Sequence, residues 1–407
     1  MSNVSFQVIL AGALPYFLGS KNKYGLAKAN WSLGLSHRKN SVSFAMQGID
    51  KYYGGDKKVE GIQLYGSSLS IYALYKSLKI FTKNLTLINN LTTRDKCIFF
   101  LSLYSFIHLK SKLQFSILHI QHVSSFLVMI ARLVAPETII IVSMHDLWKN
   151  SKRALNNYEV EVINKQLQHA DQIVWIAKHL KHCAIEQHIE WSIPDCIIPN
   201  GVNLEVIEET EIIEDQIIFA GTITERKGIK FLCEATKYLD KEVKRFVWAG
   251  TGAISLDNYS NLIQYKFTGY LESGPLLREI QQSKLLVVPS NFEPFGLVYL
   301  ESLWAGTPII GYSASVLELQ KEFDPEVRHW FIPFDPHCQG GEELAYLIKN
   351  NISLKKSDEF NKERQLIRKT LLEKYSWDKI SLQYNELYYS MFERRMKSRN
   401  KNHPYNI

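Results

Sequence analysis

The stretch from Ser290 to Ile310, SNFEPFGLVYLESLWAGTPII, constrains this chain more than any other. Ahead of it lies LLVVP, Leu285 to Pro289. That run is short and continuously apolar, as expected of a strand buried on both faces of a parallel sheet. Beyond Gly296 the spacing turns helical, with Leu297, Leu300 and Leu303 on one face and Gly306-Thr307-Pro308 as the stop. The order is therefore strand, tight loop, helix. Unpaired N–H groups at such a helix start, helped by the positive end of the helix dipole, attract an anion. Gly296 lets the backbone approach a ligand closely. Glu293 in the loop is placed to accept hydrogen bonds from sugar hydroxyls, and Glu301 in the helix to clamp a ribose diol. A diphosphate between two polyols fits that pattern, which describes a nucleotide-sugar.

A chain of 407 residues exceeds one ordinary doubly wound domain, and two domains of roughly 200 residues suit its length. Its hydrophobic content of 46% supports sizeable cores. The formal net charge of +7 is spread along the chain, with a basic end, FERRMKSRNKN, from Phe392. Such a balance suits anionic partners without choosing among phosphate groups, lipid heads and nucleic acid. The five cysteines show no Cys-x-x-Cys pair and no zinc-finger spacing, so they read as reduced thiols of the cytoplasm. The opening MSNVSFQVILAGALP lacks a basic leader and reads as a first strand. Its longest apolar run, CIFFLSLYSFIHL, falls short of the ~18 residues of a membrane span.

Strand-like and helix-like stretches alternate through both halves. VSFQVIL, SVSFAM, CIFFL, SILHI, TIIIVSM and QIVWIA read as strands of the first half, with helices near Leu26 to Leu35 and at VEVINKQLQ. QIIFAGT, RFVWAGTG, LIQYKFTGYL, KLLVVPS and TPIIGY repeat the pattern in the second, around the helix IKFLCEATKYL. Alternation of this kind predicts parallel sheets wrapped by helices. The turn Pro199-Asn200-Gly201 separates the halves, giving expected domains 1–197 and 198–375. A last segment, 376–407, starts at a Ser376 cap and forms a helix packing back toward the first domain, with a basic tail.

Six motifs in fixed order carry a resemblance: PNGVN from Pro199, FAGTITERKGIKFLCEA from Phe219, FVWAGTG from Phe246, FTGYL from Phe267, the Glu293 to Glu301 segment and KYSWDKI from Lys374. Together they resemble the retaining glycosyltransferases of family 4. The resemblance implies an α/β chain of the GT-B fold, two Rossmann-like doubly wound domains facing a central cleft. It covers roughly residues 196 to 390, and is looser in the first half, where SILHIQH and VSMHDLW fit two histidine-bearing strand ends.

The same resemblance implies roles. Lys227 neutralises the donor diphosphate, with Arg226 beside it. Glu293 bonds the donor sugar, Glu301 the ribose, and the N–H groups of Phe295, Gly296 and Leu297 lie near sugar and phosphate. Tyr270 and Leu271 fall where family members hold the base, and His145 where a histidine supports the transition state. Relatives carry an arginine where this chain has Thr222. Their glycine-rich first loop is reduced here to SKNKYGLAKAN, with Gly25 in register and Lys21, Lys23 and Lys28 around it. His119 and His122 read as shaping a wall or packing locally.

The expected function is sugar transfer from a nucleotide diphosphate sugar to an acceptor hydroxyl, in bacterial surface polysaccharide biosynthesis. The acceptor is lipid-linked or a polysaccharide, and an anionic membrane surface is a further partner. No cofactor and no catalytic metal are expected, because no Asp-x-Asp motif or metal-ligand spacing is present. The location expected is the cytoplasm, with peripheral attachment to the inner face of the cell membrane. Two alternatives stay open: a GT-B phosphorylase or nucleotide-sugar epimerase, and a non-catalytic binder of nucleotide-sugar or nucleic acid. Nothing interleaves basic and aromatic residues on a nucleic-acid module, so no nucleic-acid partner is expected.

Overall fold

The computed structural model describes residues 7–12, 32–36, 43–48, 57–59, 62–65, 71–107, 116–121, 123, 126–147, 155–204, 211–213, 215–239, 242–252, 263–354 and 359–402. The chain divides into two compact units, the first drawn from residues 1–147, 155–201 and 377–407, the second from 148–154 and 202–376. Ile198 remains in the first unit's core, so the chain leaves that unit after Gly201 rather than at residue 197.

The first unit holds β1 (Gln7–Gly12), β2 (Ser43–Gly48), β3 (Lys57–Val59), β4 (Ile62–Tyr65), β5 (Ser116–Ile120), β6 (Ile139–Met144), β7 (Gln172–Trp175) and β8 (Asp195–Ile197). Their order across the sheet is β3-β4-β2-β1-β5-β6-β7-β8. Every pairing is parallel except β3 with β4. β5 and β6 are buried along their whole length, as parallel strands covered on both faces are. CIFFL is not a strand. It lies in the helix Thr93–Phe106, whose first turn is closed by the Thr92 hydroxyl accepting the Asp95 N–H at 3.2 Å. Phe99, Leu103 and Phe106 are buried there at helical spacing, so period overrode apolar content.

The chain returns to this unit in its final helix, Trp377–Asn402. Ile380, Tyr384, Tyr388, Met391 and Phe392 of that helix join Val8, Leu10, Ile117, Ile139 and Val174 in one core. Its first turn is held by Ser36, whose hydroxyl donates to the Trp377 carbonyl at 3.0 Å. The expected cap, Ser376, instead donates its hydroxyl back to the Leu372 carbonyl at 2.8 Å.

The second unit is a parallel sheet of β9 (Gln216–Ala220), β10 (Arg245–Ala249), β11 (Gln264–Gly269), β12 (Leu285–Val288), β13 (Ile309–Tyr312) and β14 (Phe331–Phe334). The order is β11-β10-β9-β12-β13-β14. The unit's first strand is central and the winding reverses between β9 and β12, the doubly wound arrangement that opens a ligand crevice at the carboxyl ends of those two strands. Among the described residues no helix is long and apolar enough to cross a membrane.

Candidate functional site

Two loops leave the carboxyl ends of β9 and β12 in the second unit, and they are tied together by backbone. After β9 the chain makes a short 3-10 turn, Glu225–Lys227, ending at Gly228. Gly228 has φ +74°, and any Cβ there would collide with the Pro289 carbonyl at the end of β12. The Asn291 N–H donates to the Arg226 carbonyl at 2.8 Å, and the Asn291 side-chain amide donates to the Glu225 carbonyl at 2.9 Å. These contacts bring together two residues distant in sequence. Lys227 and Glu293, both nearly buried, form a direct ion pair.

Burial by itself would push the Glu293 carboxyl up. The charge and hydrogen bond of Lys227, the charge of Arg226 and the Gly296 N–H together hold it below the ordinary carboxylate value. Ser290, fully buried, reaches the same carboxylate oxygen with its hydroxyl at 3.5 Å. Glu293 therefore persists as a carboxylate.

Gly296 begins the helix Leu297–Ala305 in the left-handed region, with φ +82°. A Cβ there would meet the ring of Tyr299. Tyr299 is fully buried and rivets the helix to two strands: its hydroxyl donates to the Val288 carbonyl and accepts the Tyr312 N–H, each at 3.1 Å. Burial pushes this phenol's pKa far up, so it stays protonated. Leu300 and Leu303 are fully buried beneath it, each contributing about 2 kcal/mol. Leu297, expected on that face, is half-buried with Val298 and Glu301, one turn apart on the same edge of the helix. Phe295 is buried and packs against Tyr375, with ring centroids 6.2 Å apart.

Thr222 and Arg226 are half-buried in the loop after β9. Tyr270 and Leu271 follow the end of β11, where Tyr270 is 37% exposed and its hydroxyl reaches Glu272 at 3.4 Å. Gly25, Lys21, Lys23, Lys28 and His122 lie outside the described residues. Among the described residues no three His, Cys, Asp or Glu side chains gather as a metal site.

His145 belongs to the first unit and follows β6. Its Nε2 contacts the Gln121 side-chain oxygen at 2.6 Å. The Gln121 amide nitrogen in turn lies 3.0 Å from Nε2 of His119, a fully buried residue of β5. His119 continues inward, Nδ1 to the Tyr388 hydroxyl and Nε2 to Ser143, both at 2.7 Å. With the amide so oriented, Gln121 accepts from Nε2–H of His145 and donates to His119, whose own proton then sits on Nδ1 facing Tyr388. A half-buried histidine at a strand end is thus tied to a buried relay reaching the final helix. His119 marks the relay in the sequence. Tyr388 carries no sequence signal for it, because only folding brings the last helix to β5.

Two parallel doubly wound units, with a cation–carboxylate pair and a glycine-started helix at a switch point, define a protein of the GT-B fold. Residues 214–333 match the family model described as Glycosyl transferases group 1. A glycosyltransferase of Methanocaldococcus jannaschii is 31% identical over 183 residues, 43% of this chain and 45% of that one. A glycogen synthase of Fervidobacterium nodosum is 26% identical over 178 residues, 41% of this chain and 35% of its own length. The chain thus spans less than half the length of these curated relatives. In structure, a sucrose-phosphate synthase from Thermosynechococcus elongatus superposes with a TM-score of 0.69 at 17% identity, covering 95% of this chain and 100% of that one. HepE of Anabaena, solved with UDP-glucose, gives 0.63 at 11% identity over 94% and 99%. At such identities the structural likeness concerns the fold. Within the second unit, the likeness to group 1 glycosyl transferases is confined to residues 214–333.

Proposed function

We propose that this chain is a retaining glycosyltransferase of the family 4 type, moving a sugar from a nucleotide diphosphate sugar to an acceptor hydroxyl. The observation that carries the reading is the buried Lys227–Glu293 pair at the carboxyl ends of β9 and β12, beside the helix start at Gly296. A diphosphate entering there competes for Lys227, with Arg226 nearby and the first N–H groups of the helix pointing at it. Losing its cation to the diphosphate releases the Glu293 carboxylate to accept sugar hydroxyls. Glu301, on the half-buried edge of the same helix, takes the ribose. Tyr270 and Leu271 lie where the base is held.

In the step itself the anomeric C–O bond to the diphosphate breaks and a bond to the acceptor oxygen forms on the same face. The acceptor proton passes to the leaving phosphate oxygen. Lys227 and the helix start stabilise the charge gathering on the diphosphate. His145, held by Gln121 in the first unit, keeps the supporting role that the family 4 resemblance implies for it. Two charged side chains of the protein face the phosphates in this reading, so transfer proceeds without a divalent metal.

The HepE structures with UDP and UDP-glucose support a uridine nucleotide as the first donor to test. The acceptor fitting a basic chain is anionic and lipid-linked or a polysaccharide, which suits surface polysaccharide assembly at the inner face of a bacterial membrane. A panel of nucleotide-sugars, read by thermal shift and by donor hydrolysis with and without EDTA, tests this. Stabilisation and turnover by one donor, unaffected by EDTA, is the expected result. No response to any donor would overturn the assignment, and phosphate-dependent cleavage of a disaccharide would replace it with a phosphorylase.

A further inference from the structure

The helix Ile71–Lys83 of the first unit is turned inside out. An ordinary surface helix hides its large apolar side chains and shows its polar ones. Here Ile71, Leu74, Tyr75 and Leu78, at spacing i, i+3, i+4, i+7, form an outward stripe, with Ile71 88% and Tyr75 61% exposed. The inward side is made of small residues: Ala73 and Ser77 are buried, and the Ser77 hydroxyl is satisfied by the Ala73 carbonyl at 2.7 Å. Anchorage comes from the far end, where Phe81 packs on Phe99 and Phe100 at centroid distances of 6.3 and 5.5 Å.

Charge is as one-sided as burial. The helix contains Lys76, Lys79 and Lys83 and no acidic residue. These lysines share a flank with Tyr72, which is 64% exposed, and the Lys76 ammonium stands 4.4 Å from the centre of the Tyr72 ring. An apolar stripe edged by tyrosines and lysines is the pattern of helices that lie in the interface of a bilayer. Their aliphatic side chains enter the acyl boundary, while aromatic rings and ammonium groups meet the headgroups. A second copy of the chain is a poorer occupant, because pairing two such helices sets lysines against lysines.

We propose that Ile71–Lys83 docks the protein on an anionic phospholipid surface, lying in the headgroup plane with Leu74 and Leu78 inserted. The proposal deepens the membrane part of the function read above and rests on it only there, since vesicle binding needs no donor site. Attraction by three lysines at an exposed surface is screened by salt, the Debye length shrinking from about 10 Å at 0.1 M to about 3 Å at 1 M.

Co-sedimentation of the full chain with phosphatidylcholine vesicles, with and without phosphatidylglycerol, is the test. Expected is salt-sensitive binding to the anionic vesicles, weakened at least tenfold in Leu74→Ser/Leu78→Ser and in Lys79→Glu/Lys83→Glu. Every substituted side chain is exposed, and the charge-reversal pair removes no apolar packing should the serine pair fold poorly. Equal binding to both vesicle types, or variants that bind as the parent does, would overturn the proposal. So would sedimentation velocity showing self-association that the serine pair abolishes, in a protein indifferent to vesicles. Calorimetry with a nucleotide diphosphate, unchanged in both variants, separates a failure here from a failure of the donor-site reading.

Discussion

Lys227 and Glu293 neutralise each other in a place that water barely reaches, so removing either one has two consequences. Lys227→Ala leaves a buried carboxylate without its main cation, a change worth about 3–5 kcal/mol for buried pairs, and strips the diphosphate of its partner. Turnover is expected to fall at least ~10²-fold, with a lowered melting transition. Adding Glu293→Gln should recover much of the melting loss and none of the turnover. A double variant that melts as low as Lys227→Ala alone would show that the ion pair does not couple the two loops. The two glutamates should fail differently when neutralised singly. Glu301→Gln is expected to weaken free nucleotide diphosphate as much as the intact donor, since both carry the ribose. Glu293→Gln should spare diphosphate binding and lose turnover instead. Calorimetry beside steady-state rates decides the division, and equal loss of diphosphate affinity in both variants would refute it.

At the scale of elements, the helix Leu297–Ala305 aims its N-terminus because Gly296 and Tyr299 fit one another. Gly296→Ala imposes both a left-handed backbone, costing about 1–2 kcal/mol, and a collision with the Tyr299 ring. Gly269, at the end of β11, offers the control: its φ is +68°, and a Cβ there meets nothing within 4 Å. Gly296→Ala should therefore lower the melting temperature clearly more than Gly269→Ala and reduce nucleotide diphosphate affinity as well. Similar melting losses in the two variants would mean that Tyr299 gives way freely. The strand before this helix was legible as LLVVP because a strand buried on both faces shows an unbroken apolar run. CIFFL shows the limit of that signal. Its apolar run is equally dense, yet Thr92 and the spacing of Phe99, Leu103 and Phe106 make it a helix.

For the molecule as a whole, the final helix finishes the core of the unit that begins the chain. Met391 and Phe392 are part of that core, and Arg395 contacts the Glu137 carboxylate at 3.2 Å. The segment up to about residue 396 therefore packs with the first unit, and the basic residues beyond it are the ones to test for membrane binding. Removing residues 397–407 should leave the melting profile intact and weaken binding to anionic vesicles by up to about 10²-fold, since Lys397, Arg399 and Lys401 go, each worth up to about 1 kcal/mol near such a surface. Cutting after Tyr389 should destabilise the first unit as well, by about 2–5 kcal/mol for each large core side chain lost. Calorimetric melting of the two truncations distinguishes them, and identical profiles would take Met391 and Phe392 out of the core.

Local order and residue type settled much before folding was considered. Strand, loop and helix around Gly296, the ERKG turn and the order of six motifs were all written in short windows, where backbone preference and apolar period act. The loop and helix start singled out Glu293 and Glu301, and the resemblance carried by the motifs added Lys227. Only the tertiary structure decided that Lys227 and Glu293 touch, because β9 and β12 are neighbours solely through the winding of the sheet. The relay from His145 through Gln121 and His119 to Tyr388 likewise needs the last helix against β5. Which face of Ile71–Lys83 looks outward was also beyond the sequence. Apolar period marks a stripe on a helix, and the packing of Ala73, Ser77 and Phe81 chose the opposite side as the inner one.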